Sequence, residues 1–323
     1  MRIVALEEAF WLDGYGLPDL SADEGILSKQ VLDRNRTLLP DFSDARIADM
    51  DSNGVDVQVL SLTANGVQAT PDAATAIDQA QRVNDYLAEV VAGNPTRFAG
   101  FAALPLQDPH AATTELRRCV EELGMVGALV NGGPTAGHYL DERRFDPLWA
   151  EIERLGVTLY LHPAIPSDIP QVYEGFPELA GPMYGFAADT GAQFLRLMLS
   201  GVFDRFPGVR VTLGHMGEFL PFHMSRLDSR IKVARCDKEL TKAPSEYLRD
   251  HLIATTSGVF ASSVVHGAVE ALGIDNVLFS IDYPWERSDE AVRLLDDLGL
   301  IMAPADVEKI AHGNADRILR LTP

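Results

Sequence analysis

Eight short apolar segments, each about the length of a β-strand, recur along the chain with helix-like segments between them. They are too short for helices, and near-continuous hydrophobicity is typical of strands buried on both faces of a parallel sheet. Strands that alternate with helices predict an α/β fold with one parallel sheet. The segments are residues 3–6, 55–62, 98–103, 126–130, 157–161, 209–213, 252–255 and 277–281.

The number of these segments favours a closed (β/α)8 barrel of the TIM type. No glycine-rich phosphate-binding loop follows any of them, which weakens the alternative of an open doubly wound sheet. No linker-like stretch interrupts the alternation, so we expect one domain over residues 1–323. Two irregular stretches rich in glycine or proline, residues 11–40 and 164–183, are predicted insertions after the first and fifth strands.

Composition and charge limit the partners that such a protein can bind. The chain has 323 residues and a formal net charge of −20, which disfavours nucleic acid and anionic membrane surfaces. Its apolar runs are too short to span a bilayer, and the start MRIVALEEAF lacks the apolar core of a signal peptide. The two cysteines, Cys119 and Cys236, have no metal-binding spacing and suit a reducing compartment, so we expect a cytoplasmic protein.

Ionisable residues stand at the ends of four of the predicted strands. Glu7, His162, His215 and Asp282 follow the first, fifth, sixth and eighth strands. The carboxyl ends of barrel strands meet at one face, so these side chains are predicted to converge although they lie far apart in sequence. One such residue alone is more often structural, but four at the same end of a barrel indicate a site for a divalent cation.

The segment VRVTLGHMGE, residues 209–218, illustrates how one strand places an ionisable side chain at its carboxyl end. Its apolar run is typical of a buried strand, and Gly214 and His215 follow directly. Glu218 comes three residues after His215, where a helix is predicted to begin, and from there its carboxylate can orient the imidazole. The pair therefore predicts a histidine that is tuned to transfer protons.

Six motifs carry a resemblance to a known family. They are LEEAF at 6–10, LHP at 161–163, SGVFDRFP at 200–207, LGHMGE at 213–218, SIDYPWE at 280–286 and HGNADRIL at 312–319. In these motifs the chain resembles the amidohydrolase-2 group. Within that group it is similar to the metal-dependent, non-oxidative aromatic acid decarboxylases, which act on γ-resorcylate, 2,3-dihydroxybenzoate and 5-carboxyvanillate. The resemblance spans nearly the whole chain.

The resemblance implies catalytic and metal-binding roles for five residues. Glu7, His162 and Asp282 match the metal ligands of the family. Asp282 is also implied as the group that protonates the substrate ring. His215 matches the catalytic histidine, and Glu218 matches the carboxylate that orients it.

Four further residues are predicted to bind the substrate. Arg226 falls on the helix where the decarboxylases place a substrate-binding arginine, and Trp285 falls where they place a large aromatic side chain against the ring. Ala64 and Asn131 follow the second and fourth strands and are expected to face the pocket by position.

The chain departs from the family pattern at Ala9, where many members have a further histidine two residues after the first ligand. The site is therefore expected to be rich in oxygen ligands, and one imidazole with two carboxylates favours Mn²⁺ or Mg²⁺, with Zn²⁺ as a third candidate. Asn131 ends the fourth strand where a carbamylated lysine would support a binuclear centre, so one metal ion is expected. No organic cofactor is expected.

These roles imply the decarboxylation of an ortho-hydroxybenzoate, in which ring protonation precedes the loss of CO₂. Two alternatives stay open. The same metal could activate water for the hydrolysis of a lactone or an amide, and the loss of a ligand at Ala9 could mark a barrel that binds a ligand without catalysis. A small aromatic carboxylate is the expected partner in the pocket, and a homodimer or homotetramer is the expected assembly.

Overall fold

The computed structural model describes residues 1–17, 26–133, 135–166, 169–235 and 240–321, and it contains one sheet of eight parallel strands. They are β1 Val4–Phe10, β2 Val57–Leu62, β3 Phe98–Ala102, β4 Gly127–Asn131, β5 Thr158–His162, β6 Arg210–Leu213, β7 Leu252–Thr255 and β8 Val277–Leu278. The strands pair in chain order, and Leu6 of β1 also pairs in parallel with Ser280, just beyond β8. This pairing closes the sheet, so the predicted (β/α)8 barrel is confirmed and the open doubly wound sheet is excluded.

Helices follow the strands and pack around the barrel. Local signals set several of their ends: the side chains of Asp72 and Asp108 accept hydrogen bonds from the first turns of the helices that they precede. Gly54 and Gly156 adopt the left-handed conformation just beyond the helices that they end. The helices are Lys29–Leu38, Asp44–Asn53, Ala73–Gly93, Pro109–Glu121, Asp146–Leu155, Gly185–Leu199, Val202–Arg205, Leu220–Ile231, Pro244–His251, Ser262–Leu272, Ser288–Gly299, Pro304–Glu308 and Asn314–Leu319.

Apolar side chains fill the space inside the barrel as well as the layer between strands and helices. The interior cluster includes Val59, Phe101, Leu129, Ile253 and Leu278, all buried. Because side chains along a strand alternate between its two faces, each strand contributes to both layers. The interior is therefore a packed core, and a ligand can enter only at the carboxyl ends of the strands.

The two insertions differ in structure. The first was predicted to be irregular, and that prediction was wrong for part of it, because Lys29–Leu38 is a helix whose start is capped by the Ser28 side chain and which buries Leu32. Residues 18–25 of this insertion lie outside the described residues. The second insertion contains only short 3₁₀ turns at Gln171–Tyr173 and Pro177–Ala180 among its described residues. The two insertions meet, since a Cβ on Gly181 would overlap the side chain of Ile26.

Among the described residues, no helix has both the length and the apolar character needed to cross a bilayer. Cys119 is a buried free cysteine, and Cys236 lies outside the described residues.

Candidate active site

Glu7 does not follow β1, as the sequence predicted, but lies within it. The pairing of β1 with β2 shifts between Ala5 and Glu8, and Glu7 has a φ of +66°. Such a bulge turns a side chain away from the regular alternation of the strand. The Glu7 carboxylate is buried, and its Oε2 accepts hydrogen bonds from the hydroxyls of Tyr160 and Ser257. Its Oε1 has no hydrogen-bond partner among the described residues, so this atom remains free to bind a cation.

His162 ends β5 and points towards Glu7. Its Nδ1–H donates to Asn131 Oδ1 over 2.9 Å, and its Nε2 lies 3.3 Å from Glu7 Oε1. The bond to Asn131 fixes the tautomer that leaves Nε2 free as a ligand. Asn131 was predicted to face the pocket, but it is buried and is not among the residues that line the cavity. Its contact with His162 instead gives it an orienting role behind the ligand.

His215 and Glu218 form the predicted pair, although Glu218 does not begin a helix. Residues from His215 to Phe219 all have positive φ, so they form one left-handed turn, and the helix begins at Leu220. Within the turn, His215 Nδ1–H donates to Glu218 Oε1 over 2.7 Å. His215 Nε2 then lies 3.8 Å from both Glu7 Oε1 and Asp282 Oδ2. The turn therefore places the imidazole beside two of the predicted metal ligands.

Asp282 is held in a strained backbone conformation by Glu8. Asp282 has a φ of +79°, and the residues on both sides of it donate their backbone N–H groups to the Glu8 carboxylate. Ile281 N–H reaches Glu8 Oε1 over 3.1 Å, and Tyr283 N–H reaches Oε2 over 3.2 Å. Burial raises the pKa of Glu8 well above its usual value, and these two hydrogen bonds oppose that rise.

The buried side chain of Arg46 contacts the end of β1 and the segment next to Asp282. Its Nη2 donates to the carbonyl of Ala9 over 2.7 Å, and its guanidinium lies 4.6 Å from the centre of the Tyr283 ring. Arg46 thus connects the end of β1 with the segment that carries Asp282. The Ala9 side chain itself packs in a small apolar cluster with Leu39 and Trp285, so this position offers no fourth ligand.

The charged groups of the site and its burial shift the pKa values of Glu7 and Asp282 in opposite directions. Burial raises the pKa of Glu7, but the nearby His215 and His162 outweigh it and lower the pKa to about 2. Burial raises the pKa of Asp282 to about 6, and the nearby His215 opposes that rise. Burial lowers the pKa of His215, but the carboxylates of Glu218 and Glu7 outweigh it and raise that pKa well above its usual value. With no cation bound, Glu7 is therefore the more acidic of the two carboxyl groups, and a bound divalent cation would favour the ionised form of Asp282 as well.

The side chains of Glu7, His162 and Asp282 fit a divalent metal ion. Each offers one ligand atom, and these atoms lie within 4.8 Å of one another. The unpartnered Oε1 of Glu7 faces this group, as expected for a buried oxygen that has a cation to bind. Two carboxylates and one imidazole are donors that Mn²⁺, Mg²⁺ and Zn²⁺ all accept.

A cavity of about 260 Å³ opens above these residues. Ala64 and Trp285 line it, in the places that the sequence predicted for substrate-binding residues. Arg226 does not line it and is exposed on the helix Leu220–Ile231, so its predicted contact with the substrate has no support within one chain and stays a prediction. None of the described lining residues is a lysine or an arginine.

Sequence reasoning missed several residues of the site. Tyr160 lies two residues before His162 and faces the same side of β5, so strand alternation could have identified it. Glu286 lines the cavity and directly follows Trp285 in the SIDYPWE motif. Apolar residues from irregular parts of the two insertions complete the wall, among them Ile26, Leu27 and Ile165, and an irregular loop gives no sequence signal for such contacts.

Comparison with known proteins agrees with this geometry. A family model described as amidohydrolase matches residues 11–321. The chain is 41% identical to the γ-resorcylate decarboxylase of Rhodococcus jostii over 333 residues, which cover 98% of each chain. A solved 2,6-dihydroxybenzoate decarboxylase complexed with 2,6-dihydroxybenzoate is 41% identical over 99% of both chains, with a TM-score of 0.91. A dihydroxybenzoic acid decarboxylase from Polaromonas sp. JS666, with bound manganese and the inhibitor 2-nitroresorcinol, is 38% identical over 99% of this chain and 97% of that one, with a TM-score of 0.91.

Proposed function

Because the chain belongs to the amidohydrolase family, we propose that it is a metal-dependent decarboxylase of ortho-hydroxylated benzoates. The observation that carries the proposal is the cluster of Glu7, His162 and Asp282 at the floor of a cavity. That cavity is below the usual range of about 300–1,000 Å³ for sites that hold drug-sized ligands, and it suits a single aromatic ring. The named decarboxylases that the chain is similar to support the same reaction class.

The chemical problem is that loss of CO₂ from an aromatic ring leaves a carbanion without an electron sink. Protonation of the carboxyl-bearing ring carbon solves it, because the C–C bond can then break with its electron pair returning to the ring. The ortho oxygen supports this step by donating electron density into the ring. A divalent metal ion held by Glu7, His162 and Asp282 would supply a Lewis acid for the carboxylate and the ortho oxygen of the substrate.

The residues of the chain provide the proton. Asp282, which lines the cavity, is the proposed donor to the ring carbon, and it would act in a transiently protonated form because metal binding favours the ionised carboxylate. His215 Nε2 lies 3.8 Å from Asp282 Oδ2 and is the proposed source of its replacement proton. Glu218 holds the opposite ring nitrogen of His215 at 2.7 Å and so keeps Nε2 directed into the site. One proton enters the ring and one CO₂ leaves, so the reaction needs no oxidant or reductant.

The apolar wall orients the ring. Trp285 packs against a cluster that contains Ala9, Leu39 and Trp11, which limits its movement. A stacked or edge-on aromatic contact contributes about 0.5–1.5 kcal/mol beyond the area that it buries. Ala64, on the same cavity, leaves room for the substrate because its side chain is small.

We further propose a homodimer or homotetramer in the cytoplasm, built from a single-domain chain. Large apolar side chains are exposed on the second insertion and on the turn after β6, and the rings of Tyr184 and Phe219 lie 5.9 Å apart there. Exposed apolar patches of this kind mark protein interfaces. The patch includes Val172, Phe176, Met183, Tyr184, Phe219 and Phe222. Light scattering of the wild type and of Phe222→Ser tests the assembly, and a monomeric wild type would contradict it.

The reaction is tested by CO₂ release. Purified protein loaded with Mn²⁺ is expected to convert at least one of 2-hydroxybenzoate and the 2,3-, 2,4-, 2,5- and 2,6-dihydroxybenzoates into the corresponding phenol and CO₂. His162→Ala should abolish turnover, whereas His110→Ala, on an exposed outer helix, should retain it. Acid release from a lactone without any CO₂ release from the benzoates would contradict the proposal and support the hydrolase alternative.

A further inference from the structure

One carboxylate in the cavity has no part in the chemistry described so far. Glu286 lines the cavity together with His215, Asp282 and Trp285. Its backbone N–H donates to the carbonyl of Asp282 over 3.0 Å, so one turn of chain carries the metal ligand, the aromatic wall and this second carboxylate. Within the part of the chain that the structure describes, the Glu286 carboxylate forms no hydrogen bond or ion pair.

Glu286 and His215 stand on the two sides of one glycine. A Cβ built on Gly258 would lie 3.6 Å from Glu286 Oε1 and 3.6 Å from His215 Cδ2. The absence of a side chain at Gly258, which has a φ of +60°, therefore keeps the space between them open. Glu286 is an exposed residue. Partial loss of water around its carboxylate and the nearby Glu290 raise its pKa, and His215 and Arg34 oppose that rise.

An exposed carboxylate needs no protein partner, but one on the wall of a cavity that receives an anion affects which anions can bind. It would repel the substrate unless the substrate offers it a hydrogen-bond donor. A phenolic hydroxyl is the donor that a hydroxybenzoate can carry, and the hydroxyl next to the carboxylate is already assigned to the metal ion. A second ring hydroxyl is thus the group that matches Glu286.

We propose that Glu286 determines specificity by accepting a hydrogen bond from a second ring hydroxyl and by repelling a second ring carboxylate. This inference rests on the proposed function and adds to it a residue that selects among the substrates. It predicts that 2-hydroxybenzoate, which lacks the second hydroxyl, is a poor substrate. It also predicts that 4-hydroxybenzene-1,3-dicarboxylate, which carries a second carboxylate, is excluded.

The variants Glu286→Ala and Glu286→Gln separate these two effects. Glu286→Ala removes the acceptor, so the ratio of kcat/KM for the preferred dihydroxybenzoate over 2-hydroxybenzoate should fall about 10- to 100-fold, the range for a hydrogen bond to a charged group. Glu286→Gln keeps a carbonyl acceptor and removes the charge, so a smaller ratio of about 2- to 10-fold should survive. Turnover of the dicarboxylate relative to 2-hydroxybenzoate should then rise by about 10-fold.

A binding measurement gives a readout that does not depend on turnover. Calorimetry with the Mn²⁺-loaded protein compares 2-nitroresorcinol with 2-nitrophenol, which differ by one hydroxyl. The wild type should bind 2-nitroresorcinol more tightly, and Glu286→Ala should remove that difference. Glu308→Gln is the control, because Glu308 is exposed on the helix Pro304–Glu308, outside the cavity, and should leave both ratios unchanged.

The outcomes distinguish the inference from the proposed function. If the wild type releases CO₂ but Glu286→Ala leaves both the kinetic ratio and the binding difference unchanged, the inference is wrong and the proposed function stands. An equal loss of activity on all substrates would assign Glu286 a structural role and would also overturn the inference. If no benzoate is decarboxylated but the hydroxyl-dependent binding is lost in Glu286→Ala, the proposed function fails and the specificity role remains. Binding of neither nitrophenol would contradict both.

Discussion

Replacing Glu8 by glutamine should weaken metal binding although Glu8 is not a ligand. Its two carboxylate oxygens accept the backbone N–H groups of Ile281 and Tyr283, on both sides of Asp282. A glutamine keeps one acceptor and turns an NH₂ group towards the other N–H, so one of the two hydrogen bonds is lost. We therefore expect Asp282 to lose the support that holds its φ at +79°.

The size of the effect follows from these contacts. A backbone N–H that is left without a partner in a buried site costs about 1–3 kcal/mol, which sets the expected loss in the free energy of unfolding. The left-handed conformation costs a non-glycine residue roughly 1–2 kcal/mol. If Asp282 relaxes from it in the variant, restoring the binding geometry costs that amount, which corresponds to about a 10-fold weaker affinity for Mn²⁺.

The assay combines chelator competition for the Mn²⁺ dissociation constant with chemical unfolding. Glu151→Gln is the control, since Glu151 is a buried carboxylate on an outer helix that pairs with Arg117 and Arg154. It should reduce stability without changing the affinity for Mn²⁺. If Glu8→Gln lowers stability as expected but leaves the Mn²⁺ dissociation constant within twofold of the wild type, the positioning role of Glu8 is refuted.

Three other changes test the site and its surroundings. Gly214→Ala should weaken Mn²⁺ binding by at least about 10-fold, because its Cβ would lie 2.8 Å from Glu7 Oε2 and would displace that carboxylate; chelator competition measures it. Gly181→Ala should raise KM more than it lowers kcat, because the new methyl group would push Ile26 and the first insertion away from the cavity that they cover. Burial lowers the pKa of His251 in the folded protein. The neutral imidazole therefore stabilises the fold above the unfolded-state pKa of about 6.5, and this contribution is lost as the pH falls through the lower pKa of the folded state. His251→Gln should therefore lose less stability than the wild type between pH 7.5 and pH 5.

Each of these changes has an outcome that would contradict it. Gly93→Ala, where a Cβ meets nothing within 4 Å, is the control for both glycine variants and should leave Mn²⁺ affinity and KM unchanged. Unaltered Mn²⁺ affinity in Gly214→Ala would mean that Glu7 does not bind the metal in this position. A drop in kcat alone in Gly181→Ala would argue against a role in covering the cavity. Equal acid sensitivity of the wild type and His251→Gln would show that His251 is not a source of it.

The barrel could be predicted from the sequence because burial on both faces leaves a strong local signal. Each strand appears as a short apolar run, and the alternation with helices fixes the order of the strands without knowledge of their register. The convergence of Glu7, His162 and Asp282 then follows from the geometry of the barrel. The first insertion gave no such signal, since the helix Lys29–Leu38 is mostly polar and buries only one apolar residue.

The backbone conformations that direct the side chains into the site could not be predicted, because they depend on contacts between residues that lie far apart in sequence. The bulge at Glu7 depends on the pairing of β1 with β2 on one side and with Ser280 on the other. The left-handed turn after β6 contains His215, Met216 and Glu218, which avoid this conformation in isolation, so the helix predicted to begin at about Glu218 begins at Leu220.

Some roles of the cavity residues could likewise be predicted from the sequence, and others could not. Trp285 and Ala64 were predicted from motif and strand position, and the structure places both on the cavity. The position of Asn131 was predicted, but its partner was not, because a strand end does not reveal whether the side chain meets the cavity or a neighbouring ligand. Glu286 was overlooked although it belongs to the same motif as Trp285, since a carboxylate beside an anion site has no obvious use until the cavity is known.

The central claim is that Glu7, His162 and Asp282 hold one divalent metal ion, and anomalous scattering from crystals grown with Mn²⁺ tests it most directly. We expect one anomalous peak per chain, at about 2.0–2.3 Å from Glu7 Oε1, His162 Nε2 and a carboxylate oxygen of Asp282. A second peak in the cavity, or a peak that lies outside bonding distance of any of these three atoms, would contradict the account.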